Sequence, residues 1–334
     1  HYHSTPHSHF SPLPTMSWLD NFSMKWTAPY DAMALAKYRE IHAMAPPSIQ
    51  SPLNYIEEWY HFAMKHQDPR VKDWPLMNPF HNLFLIFCYL TTIFVLSFIM
   101  KRVSKPFPTK YLAMWHNVFC TGLSLYMCLE IWRQAYLGGY NILSQSLDRT
   151  ESGIPMASVL WVFYASKVPE FFDTVLMCLK QNFRQITFLH VYHHSSIFFI
   201  WWIIISYVPG GSSYWSAALN SFVHVVMYGY YLWSSLAPKA DPTKKPRWNQ
   251  PAFYRKYITS FQLLQFCLNF FQATYMLFIS PPADFPLFNV WILFFYMITM
   301  LALFGNFFLK SYSTKPKAGK VTDATASKES KKIQ

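Results

Sequence analysis

Three histidines fall within five residues in HVYHH, residues 190–194, inside the apolar run TFLHVYHHSSIFFIWWIIISYV. On a helix turning about 100° per residue, His190 and His194 lie one turn apart with His193 beside them, and Tyr192 points elsewhere. A neutral imidazole can attack an acyl carbon, take a proton near neutral pH or ligate a metal. Ionisable groups inside an apolar span cost about 2.5–3.5 kcal/mol each on insertion scales, so they read first as functional. Three further apolar runs carry polar groups. In WVFYASKVPEFFDTVLM, Lys167, Glu170, Asp173 and Thr174 share an arc of roughly 120°, and a lysine one turn from a glutamate neutralises part of the charge. Pro169 removes a backbone donor and frees the carbonyl of Ala165, which predicts a kink. In NSFVHVVMYGYYLW, Asn220, His224, Met227, Tyr228 and Tyr231 line one face. In YITSFQLLQFCLNFFQATY, Thr259, Gln262, Gln265, Asn269 and Gln272 form a stripe.

Each group also has a purely architectural reading: an ion network that pins helices, a packing histidine, or amides that act as interhelical glue worth about 0.6–2 kcal/mol apiece. His116, near a span end, reads as interfacial. HxxHH also occurs among the histidine boxes of membrane di-iron desaturases and hydroxylases. A di-iron site needs further boxes, and His224 is the only other intramembrane partner. A zinc site from His190, His194 and His224 with a water meets a neighbouring lysine and lacks Cys or HExxH ligands. Acyl transfer by a histidine fits the set better, with no metal ligated.

These residues need helices to position them. Of 334 residues, 52% are hydrophobic, 20% aromatic and 13% charged, with nine glycines. That composition excludes an ordinary soluble domain and indicates an all-α, polytopic membrane protein. The net charge of +12 sits in short clusters between apolar blocks. This is a mark of topology and argues against nucleic acid as a partner. Apolar runs predict seven transmembrane helices near 81–100, 111–130, 156–178, 187–208, 213–236, 257–279 and 286–309. Residues 1–80 read as a polar tail with a short amphipathic segment around PLNYIEEWYHFAMKH, 81–310 as the membrane domain, and 311–334 as a basic tail. Loops alternate in basic residues, nineteen on one side against Arg133 and Arg149 on the other, which predicts a cytosolic C-terminus. The terminal KKIQ looks like a dilysine signal for return to the endoplasmic reticulum. The opening HYHSTPHSHF lacks an initiator Met, resembles no signal peptide, and reads as a tail and not a metal site. Cys88, Cys120, Cys128, Cys178 and Cys267 show no paired spacing, so no disulfide framework is expected.

KVPEFFDT, HVYHH, NSFVHVVMYGYY and TSFQLLQ match, in order and spacing, the KxxExxDT, HxxHH, NxxxHxxMYxYY and TxxQxxQ motifs of the ELO family of very-long-chain fatty acid elongases. The chain resembles that family through these motifs and, over its length, through topology. The resemblance implies a condensing enzyme of the endoplasmic reticulum membrane, a 3-ketoacyl-CoA synthase. It would join acyl-CoA to malonyl-CoA, release carbon dioxide and CoA, and need no bound cofactor. It also implies six helices forming an inverted barrel around an acyl tunnel, with a seventh outside.

By residue, the resemblance implies His193 as the nucleophile, His190 and His194 as its orienting or deprotonating neighbours, and His224 as the group that polarises or protonates in the malonyl step. Asn220 would donate a hydrogen bond. Lys167, Glu170 and Asp173 would balance charge near the thioester, with Tyr228 and Tyr231 on the same substrate-facing wall and Gln262 and Gln265 along the path. Basic residues among Lys180, Arg184, Lys244, Lys245, Arg247, Arg255 and Lys256 would meet CoA phosphates. HVYHHSSI followed by VPGGSSYWSAALNSFVHVVMYGYY looks like the elongases of algae, mosses and related microbes that act on polyunsaturated chains, with saturated or monounsaturated acyl-CoA as the alternative. Partners would be membrane lipid and the ketoacyl-CoA reductase, dehydratase and enoyl reductase of the elongation cycle. The rival class is a seven-helix transporter, which explains intramembrane charge but does not require clustered histidines.

Overall fold

A computed structural model describes residues 47–238 and 249–313, together with Ala36, Glu40 and Met44. The expected basic residues Lys239, Lys244, Lys245 and Arg247, the KKIQ end and the histidine-rich opening lie outside the described residues. Among the described residues the regular structure is helical: α1 (Pro47–Lys65), α2 (Pro79–Met100), α3 (Lys110–Leu137), α4 (Ile154–Ala165), α5 (Lys167–Glu170), α6 (Phe172–Leu179), α7 (Phe188–Tyr207), α8 (Ser213–Leu236), α9 (Pro251–Phe278) and α10 (Leu287–Phe308). Four of them, α2, α3, α7 and α10 with its continuation to Tyr312, are long and apolar enough to cross a membrane. α8 and α9, at 24 and 28 residues, have the length to span but carry the polar faces seen in the sequence.

The surface is apolar where a soluble protein's would be polar. On α2, Phe84, Phe87, Phe94 and Phe98 point outward, Phe94 with 74% of its surface exposed, and only Pro79, Asn82, Tyr89 and Met100 are buried. A helix that turns its aromatic residues outward and its Asn and Tyr inward is matched to hydrocarbon as the surrounding solvent. α3 packs on α8, α8 on α9, α9 on α10, α10 on α7, α7 on α4 and α4 on α3, while α2 lies against α6 and α7.

The helix starts have local causes. Asn78 caps α2, its side-chain oxygen accepting from the Phe80 N–H at 2.9 Å, with Pro79 in the first turn, where its missing N–H costs nothing. Thr187 caps α7 by accepting from the N–H of His190, so the histidine motif begins within the first turn of the helix. Between α7 and α8, Gly211 has φ +53° and lies against Phe285, the Gln145 carbonyl and Leu147, where a side chain would collide.

Two features depart from the sequence reading. The span expected at 156–178 is three helical pieces, broken at Ser166 and Phe171. Pro169 has no N–H to give, and the chain tightens around it into shorter-range bonds, Phe171 N–H to Val168 O at 3.1 Å and Thr174 N–H to Phe171 O at 3.2 Å. Ser166 and Phe171 keep right-handed helical backbone, so the interruption is local, as expected of a helix disturbed at a proline. In addition, the stretch just before α2, expected as part of a polar tail, is built into the molecule. Val71, Trp74 and Met77 are buried. The carbonyls of Pro75, Leu76 and Met77 accept from Trp161, Tyr164 and Trp202 at 2.9, 3.0 and 2.9 Å. Asp68 is buried there, bound by Arg70 and Arg149, and its N–H donates to Ser206 O at 2.7 Å. Burial pushes the Asp68 carboxyl up, but the Arg70 hydrogen bonds and the two guanidinium charges more than offset it and hold it below the usual carboxylate range.

Candidate active site

The broken segment α4–α5–α6, α7 and α8 bring the sequence-selected residues together as two adjoining groups. In the first, Lys167 and Glu170 on α5 meet at 2.7 Å with 1% and 5% of their side-chain surfaces exposed. The same Glu170 oxygen lies 3.3 Å from His224 Nδ1 on α8. Lys167 Nζ also donates to Asn220 Oδ1 at 3.3 Å and sits 4.1 Å from the centre of the Phe163 ring. One carboxylate therefore serves a lysine and a histidine from different helices. A buried charge is tolerated only when paired in this way. Because Asn220 spends its oxygen on Lys167, its amide nitrogen is left to donate elsewhere.

The second group forms around Asp173. Asp173 continues the face of Lys167 and Glu170: along α8, Asp173, Lys167 and Glu170 meet Tyr228, Asn220 and His224 respectively, residues at successive turns of that helix. His116 Nε2 lies 2.9 Å from Asp173 Oδ1, and Tyr228 OH donates to Asp173 Oδ2 at 2.6 Å. His116, expected at an interface, is buried on α3 with only 8% of its surface exposed. The Asp173 carboxylate, partly buried with 15% of its side chain exposed, gives that histidine a partner inside the bundle. Tyr228 touches both groups, its ring 5.6 Å from His224 and 6.0 Å from His116. Tyr231, 42% exposed, stands at the outer edge with its ring 6.1 Å from Tyr228.

The histidine motif of α7 faces these groups. His190 Nε2 lies 2.8 Å from Thr174 Oγ1, which is itself 3.0 Å from Tyr89 OH. His194 is buried, its ring 4.5 Å from His190 and near the Tyr89 and Phe171 rings. His193 turns the other way, its Nδ1 3.3 Å from Tyr296 OH on α10. It opens onto an internal space of ≈ 40 Å³ between α7, α8, α9 and α10, shared with Asn220 and Gln265 and otherwise walled by Ile197, Ile200, Phe266 and Met297 among others. The space reaches Ile204, eleven positions along α7, or about 16 Å of helix. Gln265 lines it, whereas Gln262 turns toward α8, its amide donating to Met227 Sδ at 3.5 Å.

The four histidines thus have different surroundings. His190 lies at hydrogen-bonding distance from Thr174, His224 stands at ion-pair distance from Glu170 with no hydrogen bond at its Nδ1, His194 is enclosed by rings, and His193 is the motif histidine that lines the internal space. Tyr89, His116, Ser196 and Tyr296 are contributors that the periodicity of the sequence did not single out. Each partners a residue at least 57 positions away or acts through a hydroxyl on an apolar face, so the tertiary arrangement alone reveals them. Among the described residues, no three His, Cys, Asp or Glu side chains converge as a metal site.

Comparison with known proteins agrees with the motif pattern. Residues 74–320 match the family described as ELO: GNS1/SUR4. Human very long chain fatty acid elongase 5 is 38% identical over 261 residues, covering 78% of this chain and 84% of that protein. Very long chain fatty acid elongase 2 of Rattus norvegicus is 35% identical over 267 residues, covering 79% and 91%. Fatty acid elongase 6 of Leishmania major is 39% identical over 262 residues; the match covers 77% of this chain and 66% of that relative. With a family match across most of its length and relatives above 30% identity over most of theirs, the chain belongs to the ELO (GNS1/SUR4) family of fatty acid elongases.

Proposed function

We propose that the chain is the condensing enzyme of a fatty acid elongation cycle, a 3-ketoacyl-CoA synthase acting through an acyl-histidine. The observation that carries this reading is His193 at the head of an apolar internal space, with Asn220 and Gln265 beside it and the Lys167–Glu170–His224 network adjoining. His193 attacks the thioester carbon of acyl-CoA. The C–S bond breaks, CoA leaves as thiolate and takes up a proton, and the acyl group is held on the imidazole. Malonyl-CoA then loses carbon dioxide, its C2 attacks the acyl carbon, and the C–N bond breaks to regenerate His193 and release a 3-ketoacyl-CoA two carbons longer.

His224 and the Asn220 amide nitrogen stabilise the oxygen charge that develops on the carbonyl and enolate, and the shared Glu170 holds His224 and Lys167 for that task. His190 and His194 orient the motif. Lys167, Glu170 and Asp173 keep the chamber's charge in balance, and Tyr228, Tyr231, Gln262 and Gln265 border the substrate path. Lys180, Arg184, Arg255 and Lys256 lie in the segments expected to meet the CoA phosphates. The chemistry needs no metal.

The circuit of helix contacts from α3 through α8, α9, α10, α7 and α4 supports reading the fold as seven spans, with the α4–α6 segment counted as one. Six then form an inverted barrel around the acyl path, with α2 outside. The preferred substrate is an eighteen- or twenty-carbon polyunsaturated acyl-CoA, and the chain works in the endoplasmic reticulum membrane, its C-terminus cytosolic, alongside the reductases and dehydratase of the cycle. Purified protein incubated with acyl-CoA alone tests the acyl-enzyme. An acyl adduct by intact mass, missing in His193→Ala, is expected. Absence of any adduct in wild type, with malonyl-dependent condensation intact in His193→Ala, overturns the assignment. A panel of saturated and polyunsaturated acyl-CoAs ranks the substrates.

A further inference from the structure

The reading of His193 as nucleophile requires one particular imidazole nitrogen to carry a free lone pair, and its neighbours decide which. Ser196 Oγ lies 2.6 Å from the backbone carbonyl of Tyr192 and 3.3 Å from that of His193. A carbonyl can only accept, so the Ser196 proton is committed to the α7 backbone. Tyr296 OH is 3.1 Å from Ser196 Oγ. With the serine proton spent, the proton in that contact comes from Tyr296, and the tyrosine oxygen is left as an acceptor. His193 Nδ1, 3.3 Å from the same oxygen, is then the donor. A neutral imidazole has one N–H, and the hydrogen bond at one nitrogen fixes the state of the other.

From this chain of contacts we infer that Tyr296 and Ser196 are positioning residues that fix His193 as the Nδ1–H tautomer and leave Nε2 as the attacking atom. The direction of the relay is set at its far end by a backbone carbonyl that cannot reverse. Tyr296 stands on α10, a helix that carries none of the four sequence motifs, and is almost fully buried. The inference rests on the acyl-histidine reading but makes a separate statement, about where a proton sits in the resting enzyme.

The test uses full-length protein with ¹⁵N-labelled histidine, the His193 signals being identified by their loss in His193→Asn. Wild type should show a protonated Nδ1 and an unprotonated Nε2. Tyr296→Phe keeps the ring and removes the acceptor. Ser196→Ala releases the Tyr296 proton to donate to Nδ1, which moves the histidine proton to Nε2. Both variants should slow formation of the acyl adduct at saturating acyl-CoA by roughly tenfold or more, the sort of loss a misplaced histidine proton causes, with little change in KM. Ser196→Thr, which bonds back to the helix carbonyl in the same way, should restore wild-type behaviour. A wild-type His193 protonated at Nε2, or an unaltered proton position and acylation rate in both variants, overturns the inference. If one variant fails to fold, the other carries the test. Wild type that forms no adduct whatever its tautomer contradicts the nucleophile reading instead, so the two failures are distinguishable.

Discussion

Glu170→Gln isolates the feature on which the chamber's electrostatics depend. The carboxylate lies 2.7 Å from Lys167 Nζ and 3.3 Å from His224 Nδ1. At an effective dielectric of about 20, the lysine attraction alone amounts to roughly 6 kcal/mol before desolvation. Desolvation removes much of that gain while the pair is intact, but deleting one partner leaves Lys167, with 1% of its side-chain surface exposed, as an unpaired buried cation. Broken buried pairs of this kind cost about 3–5 kcal/mol, and Glu170→Gln should lose that much in equilibrium unfolding in mixed detergent micelles. Lys167→Met combined with Glu170→Gln removes both charges and should return to within about 1–2 kcal/mol of wild type. Condensation activity should stay low in the double variant, because His224 has lost its orienting carboxylate. A Glu170→Gln protein as stable as wild type, or a double variant that costs the sum of the two single changes, would refute the reasoning.

Other expectations follow from the same geometry. His116→Asn should lower condensation by roughly tenfold or more by freeing Asp173 and, through it, Tyr228; unchanged kinetics would reduce His116 to packing. The folded Asp68 carboxyl titrates below its ordinary value of 3.8, so its stabilisation is present above that value and is lost as pH falls through the lower folded one. Wild type should therefore lose this contribution only below about pH 4. Asp68→Asn should cost about 3 kcal/mol at neutral pH, the lower end for a buried pair, since Arg149 is 49% exposed. A variant that keeps the same acid limb as wild type would contradict that account. Prolonged treatment with a chelator should leave condensation intact, and a stoichiometric metal whose removal abolishes turnover would contradict the metal-free chemistry.

The four helices long and apolar enough to cross a membrane were readable because long apolar runs leave few alternatives. Grouping Lys167 with Glu170 also held, since three residues is a local spacing that survives a break nearby. Asp173 likewise meets α8 beside them, through Tyr228, while its other oxygen takes up His116 of α3, a partner that local spacing does not indicate. His116 and Tyr296 carried no periodic signal: their partners, Asp173 and His193, come from distant helices, and neither position says which neighbour will face it. QDPRVKDWPLMN fell within the segment read as a polar tail, because its buried residues have no apolar run or periodicity to mark them. In the fold Asp68 bridges two arginines, and the loop's carbonyls are taken up by Trp161, Tyr164 and Trp202.

The most direct measurement is a single-turnover experiment on the full-length protein with acyl-CoA and no malonyl-CoA, locating the acyl group by peptide mass spectrometry. The acyl mass should fall on the peptide containing residues 190–194, be lost in His193→Ala, persist in His224→Ala, and disappear on adding malonyl-CoA as 3-ketoacyl-CoA forms. An acyl group on another residue, or product formed by His193→Ala at the wild-type rate, would contradict the proposed chemistry.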